Sequence, residues 1–101
     1  MTTVEITRFR VPAERAEALL AARPGMLRDF EADRAGFLEA RLVRLSADEW
    51  LDIVFWDSSE DFAESRRRGA DRSGIQTFFS LIESVISVEE GTTTDRRTER
   101  P

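Results

Sequence analysis

The sequence predicts an α+β domain in which a four-stranded antiparallel sheet carries helices on one face. Three observations lead there. Four short stretches rich in β-branched residues are separated by segments whose apolar residues recur at helical spacing. The stretch Trp50-Leu-Asp-Ile-Val-Phe-Trp56 is apolar on both faces apart from Asp52, the pattern of a strand at the centre of a sheet. It runs directly into Asp57-Ser-Ser-Glu-Asp-Phe62, so a strand hands over to a helix within two residues.

The first strand covers residues 3–11, where Val4, Ile6, Phe9 and Val11 stand among Thr and Arg, with Pro12 as its bound. From Ala13 the period changes: Ala16, Leu19, Leu20, Leu27 and Phe30 mark a helix, with Glu14 and Glu17 near its positive end. Pro24-Gly25 is expected to kink or briefly break this helix, because proline removes a donor and crowds the preceding turn. Gly36 closes the segment. Residues 37–45 and 50–56 form a hairpin across the polar turn Ser46-Ala-Asp-Glu49. In its second arm Leu51, Ile53 and Phe55 share one face, and Trp50, Asp52, Val54 and Trp56 the other.

Ser58 caps the next helix, whose first turn holds Glu60 and Asp61 and which ends near Gly69. Ile75, Phe78, Phe79 and Ile82 give the stripe of a third helix. Val85, Ile86 and Val88 make the last strand. From Gly91 onward no apolar residue occurs, and residues 91–101 are expected to be a disordered polar tail after one domain over residues 1–90.

The order β-α-β-β-α-α-β, with right-handed crossovers, gives a ferredoxin-like sheet with the first and third strands at its centre. Its uncovered face would carry Val4, Ile6 and one side of the third strand. A chain of 101 residues has little core to spare, so a homodimer through that open face is expected.

Composition narrows the function. The net charge of −5 argues against partners held by phosphate charge, so neither nucleic acid nor an anionic membrane surface is expected. With no cysteine there is no disulfide or thiolate chemistry. The chain enters a strand pattern at Thr3 and holds no apolar run of membrane-spanning length, from which a cytoplasmic protein without signal peptide is expected. His, Tyr, Asn and Lys are also missing, which removes most of the usual acid–base and metal-binding side chains.

With these elements in place, the chain resembles the dimeric α+β barrel superfamily, and within it the antibiotic-biosynthesis-monooxygenase-like domains. The likeness covers roughly residues 3–90 and rests on Glu5-Ile-Thr-Arg-Phe-Arg-Val-Pro12, on Asp52-Ile-Val-Phe-Trp-Asp-Ser58 leading into an acidic helix start, and on Phe78-Phe79. It implies a dimer formed through the bare sheet faces and a ligand cleft between sheet and helices. Members of this superfamily include enzymes that oxygenate aromatic polyketide intermediates without metal or flavin, enzymes that degrade haem, and proteins without known activity. In haem-degrading members an Asn on the first strand, a Trp on the second helix and a His carry the chemistry. The first two positions fall here at Thr7 and Ser65, and His is absent. Haem iron needs an axial ligand, most often imidazole, so a haem site is not expected. Of the Tyr, Asn, His, Trp and Arg implicated in the polyketide oxygenases, only Trp and Arg are available.

The resemblance therefore implies a cofactor-free, metal-free monooxygenase acting on a small, polycyclic aromatic ligand. The alternative is a relative that binds a small apolar ligand without this chemistry. Trp56 would stand at the mouth of the cleft, or merely anchor the second helix. Arg8 would stabilise an enolate or phenolate, being permanently cationic, or form an ion pair across the sheet with Asp52 or Glu39, or with a partner subunit. Thr7, Phe9, Phe62, Ser65, Phe78 and Phe79 would line the pocket, although aromatic residues at these spacings also make ordinary core. Asp52 is either a base of raised pKa or the partner of Arg8 or Arg41. Arg66-Arg67-Arg68 reads as a solvated helix face paired internally with Glu64 and its neighbours.

Overall fold

In the computed structural model of the chain, which describes residues 2–95, the first strand β1 (Thr3–Arg10) lies inside the sheet. It is followed by a 3-10 turn at Ala13–Arg15, helix α1 (Ala16–Asp33), the hairpin of β2 (Phe37–Arg44) and β3 (Glu49–Trp56), helices α2 (Ser59–Arg68) and α3 (Ser73–Ser80), and β4 (Ser84–Thr92). The strand order is β2-β3-β1-β4, all pairs antiparallel, so β1 and β3 are central as predicted. This is the ferredoxin-like α+β fold.

Alternation along the strands sorts the side chains into two layers. Register pairs such as Thr7↔Asp52 and Phe9↔Trp50 place Glu5, Thr7 and Phe9 on the helix side, together with Trp50, Asp52, Val54 and Trp56. Ile6↔Ile53, Val4↔Phe55 and Arg8↔Leu51 lie on the open side. Under the helices, Phe9, Val11, Leu19, Met26, Phe30, Trp50, Ile75 and Phe78 form the main core, and Val54, Trp56 and Phe62 a second cluster.

Helix α1 runs through Pro24 without the expected break. Pro24 is exposed, as is Leu20 one turn earlier, whose carbonyl loses the proline's missing N–H. Water can satisfy that carbonyl, so the helix continues. Gly25 has a packing role instead: a Cβ on Gly74 of α3 would lie 2.4 Å from the Gly25 carbonyl oxygen, so the two helices cross nearly backbone to backbone. Asp29, one turn further along α1, accepts a hydrogen bond from the Gly74 N–H at 2.8 Å and caps α3, which has no side-chain cap of its own. The Ser58 hydroxyl accepts from the Asp61 N–H at 3.1 Å, the predicted cap of α2. Gly36 turns the chain at φ 81°, where a Cβ would overlap the Asp61 carboxylate.

Strand β4 runs through Gly91 and Thr92, past the expected start of the polar tail, because β1 offers them backbone partners at Val4 and Thr3. Ile86 is an extra residue in this strand, since Arg8 faces Ser87 and Phe9 faces Val85. Beyond the strand, Thr93 still donates its N–H to the Thr2 carbonyl at 2.9 Å, and residues 96–101 of the expected tail lie outside the described residues.

Candidate functional site

Between the sheet and the helices lies a cavity of about 500 Å³, within the size range of small-molecule sites. Its floor is Glu5, Thr7 and Phe9 of β1 with Asp52 and Val54 of β3. Met26 and Phe30 of α1 and Arg34 just beyond its end, Phe62, Ser65 and Arg66 of α2, and Phe78 and Phe79 of α3 form the walls. Val85 and Val88 of β4 complete the rim; they are 55% and 47% exposed, so the cavity is open along this edge strand.

Six of the expected site residues meet here: Thr7, Phe9, Phe62, Ser65, Phe78 and Phe79. Phe79 is half-exposed at the rim. Two stand elsewhere. Arg8 points to the open sheet face, where it pairs with Glu49, and the anion-stabilising geometry expected of it is absent. Trp56 is fully buried rather than at a cleft mouth. Its ring stacks on Phe62 at 6.1 Å and an interplanar angle of 19°, and meets Phe30 at 6.1 Å and Phe37 at 5.8 Å. It anchors α1 and α2 to the sheet, yet it also reaches the cavity at second hand. Its indole N–H donates to Glu5 Oε1 at 3.0 Å.

Two buried arginines hold the walls. Arg23 of α1 reaches Asp52 with both terminal nitrogens, at 2.7 and 2.8 Å, and covers the Phe78 ring at 5.3 Å. Asp52 thus finds its partner above the sheet and not in Arg8 or Arg41. Strand alternation puts Arg8 on the opposite face, and Arg41, in register with Ile53, there too. Arg34, at the end of α1, donates to Ser65 Oγ at 2.8 Å, Asp71 at 2.9 Å and the Gly69 carbonyl at 2.6 Å. Arg34 and, behind it, Arg68 hold the Asp71 carboxyl below the usual carboxylate range. The α2–α3 connection is therefore fastened to α1 by charge. Arg67 pairs with Glu64 and Arg68 with Asp33 and Asp71, whereas Arg66 has no ion pair among the described residues and lies over the Phe62 ring at 5.3 Å.

Glu5 is the least expected member of the site. Partly buried on the inner face of β1, it sits among apolar and aromatic walls. Burial raises its carboxyl above the ordinary value; the Trp56 hydrogen bond opposes this, the nearby Asp52 charge adds to it, and Thr7 and Arg66 oppose it. Among the described residues no three His, Cys, Asp or Glu side chains gather as a metal site. None of the described helices is long and apolar enough to cross a membrane.

Fold and site together define a ferredoxin-like domain that encloses a small, mostly apolar pocket between its sheet and its helices. The chain belongs to the antibiotic biosynthesis monooxygenase family, whose model matches residues 2–72. No curated protein matches it in sequence. Among solved structures it is similar to SnoaB of Streptomyces nogalater, described as a cofactor-independent oxygenase, with 19% identity, a TM-score of 0.57 and coverage of 96% of this chain and 95% of that one. It is also similar to Rv0793 of Mycobacterium tuberculosis (16% identity, TM-score 0.67, 97% and 100% covered). SO0527 of Shewanella oneidensis gives 23% identity and a TM-score of 0.64 over 89% and 88%. At these identities the structural likeness establishes the fold.

Proposed function

We propose that this protein is a cofactor-independent monooxygenase acting on a flat, polycyclic aromatic small molecule bound between sheet and helices. The observation that carries this reading is the cavity itself: about 500 Å³, walled by Phe9, Phe30, Phe62 and Phe78, in a chain of the antibiotic biosynthesis monooxygenase family. Flat aromatic rings suit such a lining, since edge-to-face and offset contacts add to the burial of area. The reaction converts an activated CH2 and O2 into C=O and H2O. The substrate loses a proton to give an enolate, the enolate carbon is oxidised by O2 to a hydroperoxide, and loss of water leaves the carbonyl. Arg66, in place of Arg8, is the cation available to a developing enolate, since Arg34 is already committed to Asp71, Gly69 and Ser65.

A second reading has its own support: with no His, Tyr or Asn in the chain, the cavity would bind an apolar ligand without oxygenating it. Oxygen uptake with anthrone, a tricyclic ketone with an acidic CH2, decides between them in chelator-treated buffer. Uptake above the buffer rate is expected. Anthrone-like ligands that bind without any uptake would sink the oxygenase reading.

The working form we propose is a homodimer through the open sheet face. Val4, Ile6, Leu51, Ile53 and Phe55 form an apolar centre there, and Arg8–Glu49, Arg10–Asp48 and Arg41–Glu39 ion pairs lie towards its margin. An apolar centre with a charged rim is the ordinary anatomy of a protein interface.

The Trp56→Phe variant separates anchoring from chemistry. Loss of the large ring from a fully buried site is expected to cost on the order of 1–3 kcal/mol in thermal or urea unfolding, with affinity for an aromatic ligand unchanged, because Trp56 does not touch the cavity. An affinity loss of tenfold or more at unchanged stability would place the ring in the ligand site after all.

A further inference from the structure

Three acidic residues border the cavity, and they are not equivalent. Asp52 has both oxygens engaged by Arg23. Glu83 is exposed at the rim. Glu5 stands on the cavity floor with no cation bonded to it among the described residues: Oε1 accepts from the Trp56 indole at 3.0 Å, and Oε2 has from them only a long 3.4 Å contact with the Thr7 hydroxyl. One oxygen is therefore fixed in place and the other is left with acceptor capacity. A carboxylate fixed on one side and underused on the other is the geometry of a general base.

We infer that Glu5 is the catalytic base of this site, taking a proton from an acidic C–H or O–H of the aromatic ligand onto Oε2, and that Trp56 is its positioning residue. The inference takes its substrate class from the oxygenase reading above. In the step itself the ligand's C–H bond breaks, the proton goes to Oε2, and the electron pair remains on the ring system as an enolate.

The surroundings suit that role. Asp52 lies diagonally across from Glu5 on β3, where it pairs with Thr7, and Glu90 stands opposite Glu5 on β4 with its carboxylate held by the Ser59 hydroxyl at 2.6 Å; Arg66 of α2 and Arg34 at the end of α1 border the same space. Burial and the Asp52 charge raise the Glu5 carboxyl towards the working pH, where a base transfers protons most effectively. The indole N–H opposes that rise by favouring the carboxylate form.

The test is hydrogen–deuterium exchange at the anthrone CH2, followed by proton NMR in deuterated buffer without oxygen, so that base catalysis is read apart from oxygenation. The intact protein is expected to accelerate exchange above buffer, and Glu5→Gln to lose about 100-fold of that acceleration while still binding anthraquinone, which has no such proton. Gln keeps a carbonyl for the Trp56 indole, so the fold is retained. In Trp56→Phe the pH midpoint of exchange should move upward, since a donor that favours the carboxylate is gone; a merely structural Trp56 would lower stability and leave the midpoint in place. Exchange in Glu5→Gln within threefold of wild type, or a wild type that binds anthraquinone and catalyses no exchange, would overturn the inference. Failure to bind either ring system would remove the cavity reading and the base with it. Exchange without oxygen uptake would keep Glu5 and discard the oxygenase; oxygen uptake undiminished in Glu5→Gln would do the reverse.

Discussion

Replacing Asp52 with alanine is expected to destabilise the domain by about 3–5 kcal/mol, the cost of leaving one partner of a buried ion pair alone. Arg23 would remain beneath the helices with its side chain 9% exposed and no counterion, its guanidinium still covering Phe78. The neighbouring cavity admits some water to the vacated site, which places the value at the lower end of that range. For a domain of this size each kcal/mol lowers the melting temperature by roughly 4–8 °C, so the effect is easily read at fixed protein concentration. The paired substitution Arg23→Met with Asp52→Leu removes both charges and should recover most of the loss. A single variant that costs under 1 kcal/mol would show that the pair is solvated and structurally idle.

Ile53→Glu is expected to turn the proposed dimer into a monomer. Ile53 lies opposite Ile6 at the middle of the open sheet face, between Leu51 and Phe55. In a two-fold interface each substitution counts twice, so two carboxylates would be buried near one another at the centre of the apolar patch. Light scattering after size-exclusion chromatography at micromolar concentration should give a dimer for the wild type and a monomer for the variant. A wild type that already runs as a monomer would remove the dimer. The helix side of the sheet is untouched by the change, so secondary structure by circular dichroism should persist in the variant.

Much of the fold could be read from period and punctuation. Alternation in β3 placed Trp50, Asp52, Val54 and Trp56 together, and they do share the helix side. Ser58 and Gly69 marked the ends of α2. Pro24-Gly25 misled because a proline's effect depends on whether its orphaned carbonyl faces water, and a glycine's on what crosses it; both are tertiary facts. Arg8 illustrates a different failure. The alternation that puts Val4 and Ile6 on the open face also puts Arg8 there, so its absence from the cavity was legible in the strand period. By the same parity Glu5 accompanies Thr7 and Phe9 on the inner face, and an acid in that row was the available signal for it. The partners of Arg23 and Arg34 carried no local signal. Their hydrogen bonds join residues 29 and 31 or more positions apart through long side chains, and only the packing of α1 on the sheet, for Arg23, and against α2 and the connection after it, for Arg34, brings them together.

Within the site the aromatic members were easier to find than the polar ones. Phe9, Phe62 and Phe78 fall at inward positions of their elements, and the same spacing serves a core or a cavity wall alike. What distinguishes wall from core is the space left between them, which no spacing encodes. The small inward residues Thr7, Val54 and Ser65 contribute to that space, since each occupies a place where a larger side chain would fill it.

Oxygen uptake by a cavity-filled variant tests the central claim most directly. Val88 lines the cavity from the half-exposed edge strand, where β-propensity favours an aromatic residue, so Val88→Trp should fold normally while its indole occupies ligand space. With anthrone in chelator-treated buffer, the wild type is expected to consume oxygen above background and Val88→Trp to lose at least about tenfold in kcat/KM, the equivalent of roughly 1.4 kcal/mol in transition-state binding, with its melting temperature unchanged. Equal uptake by both proteins would place the chemistry outside this cavity, and no uptake by the wild type would contradict the oxygenase altogether.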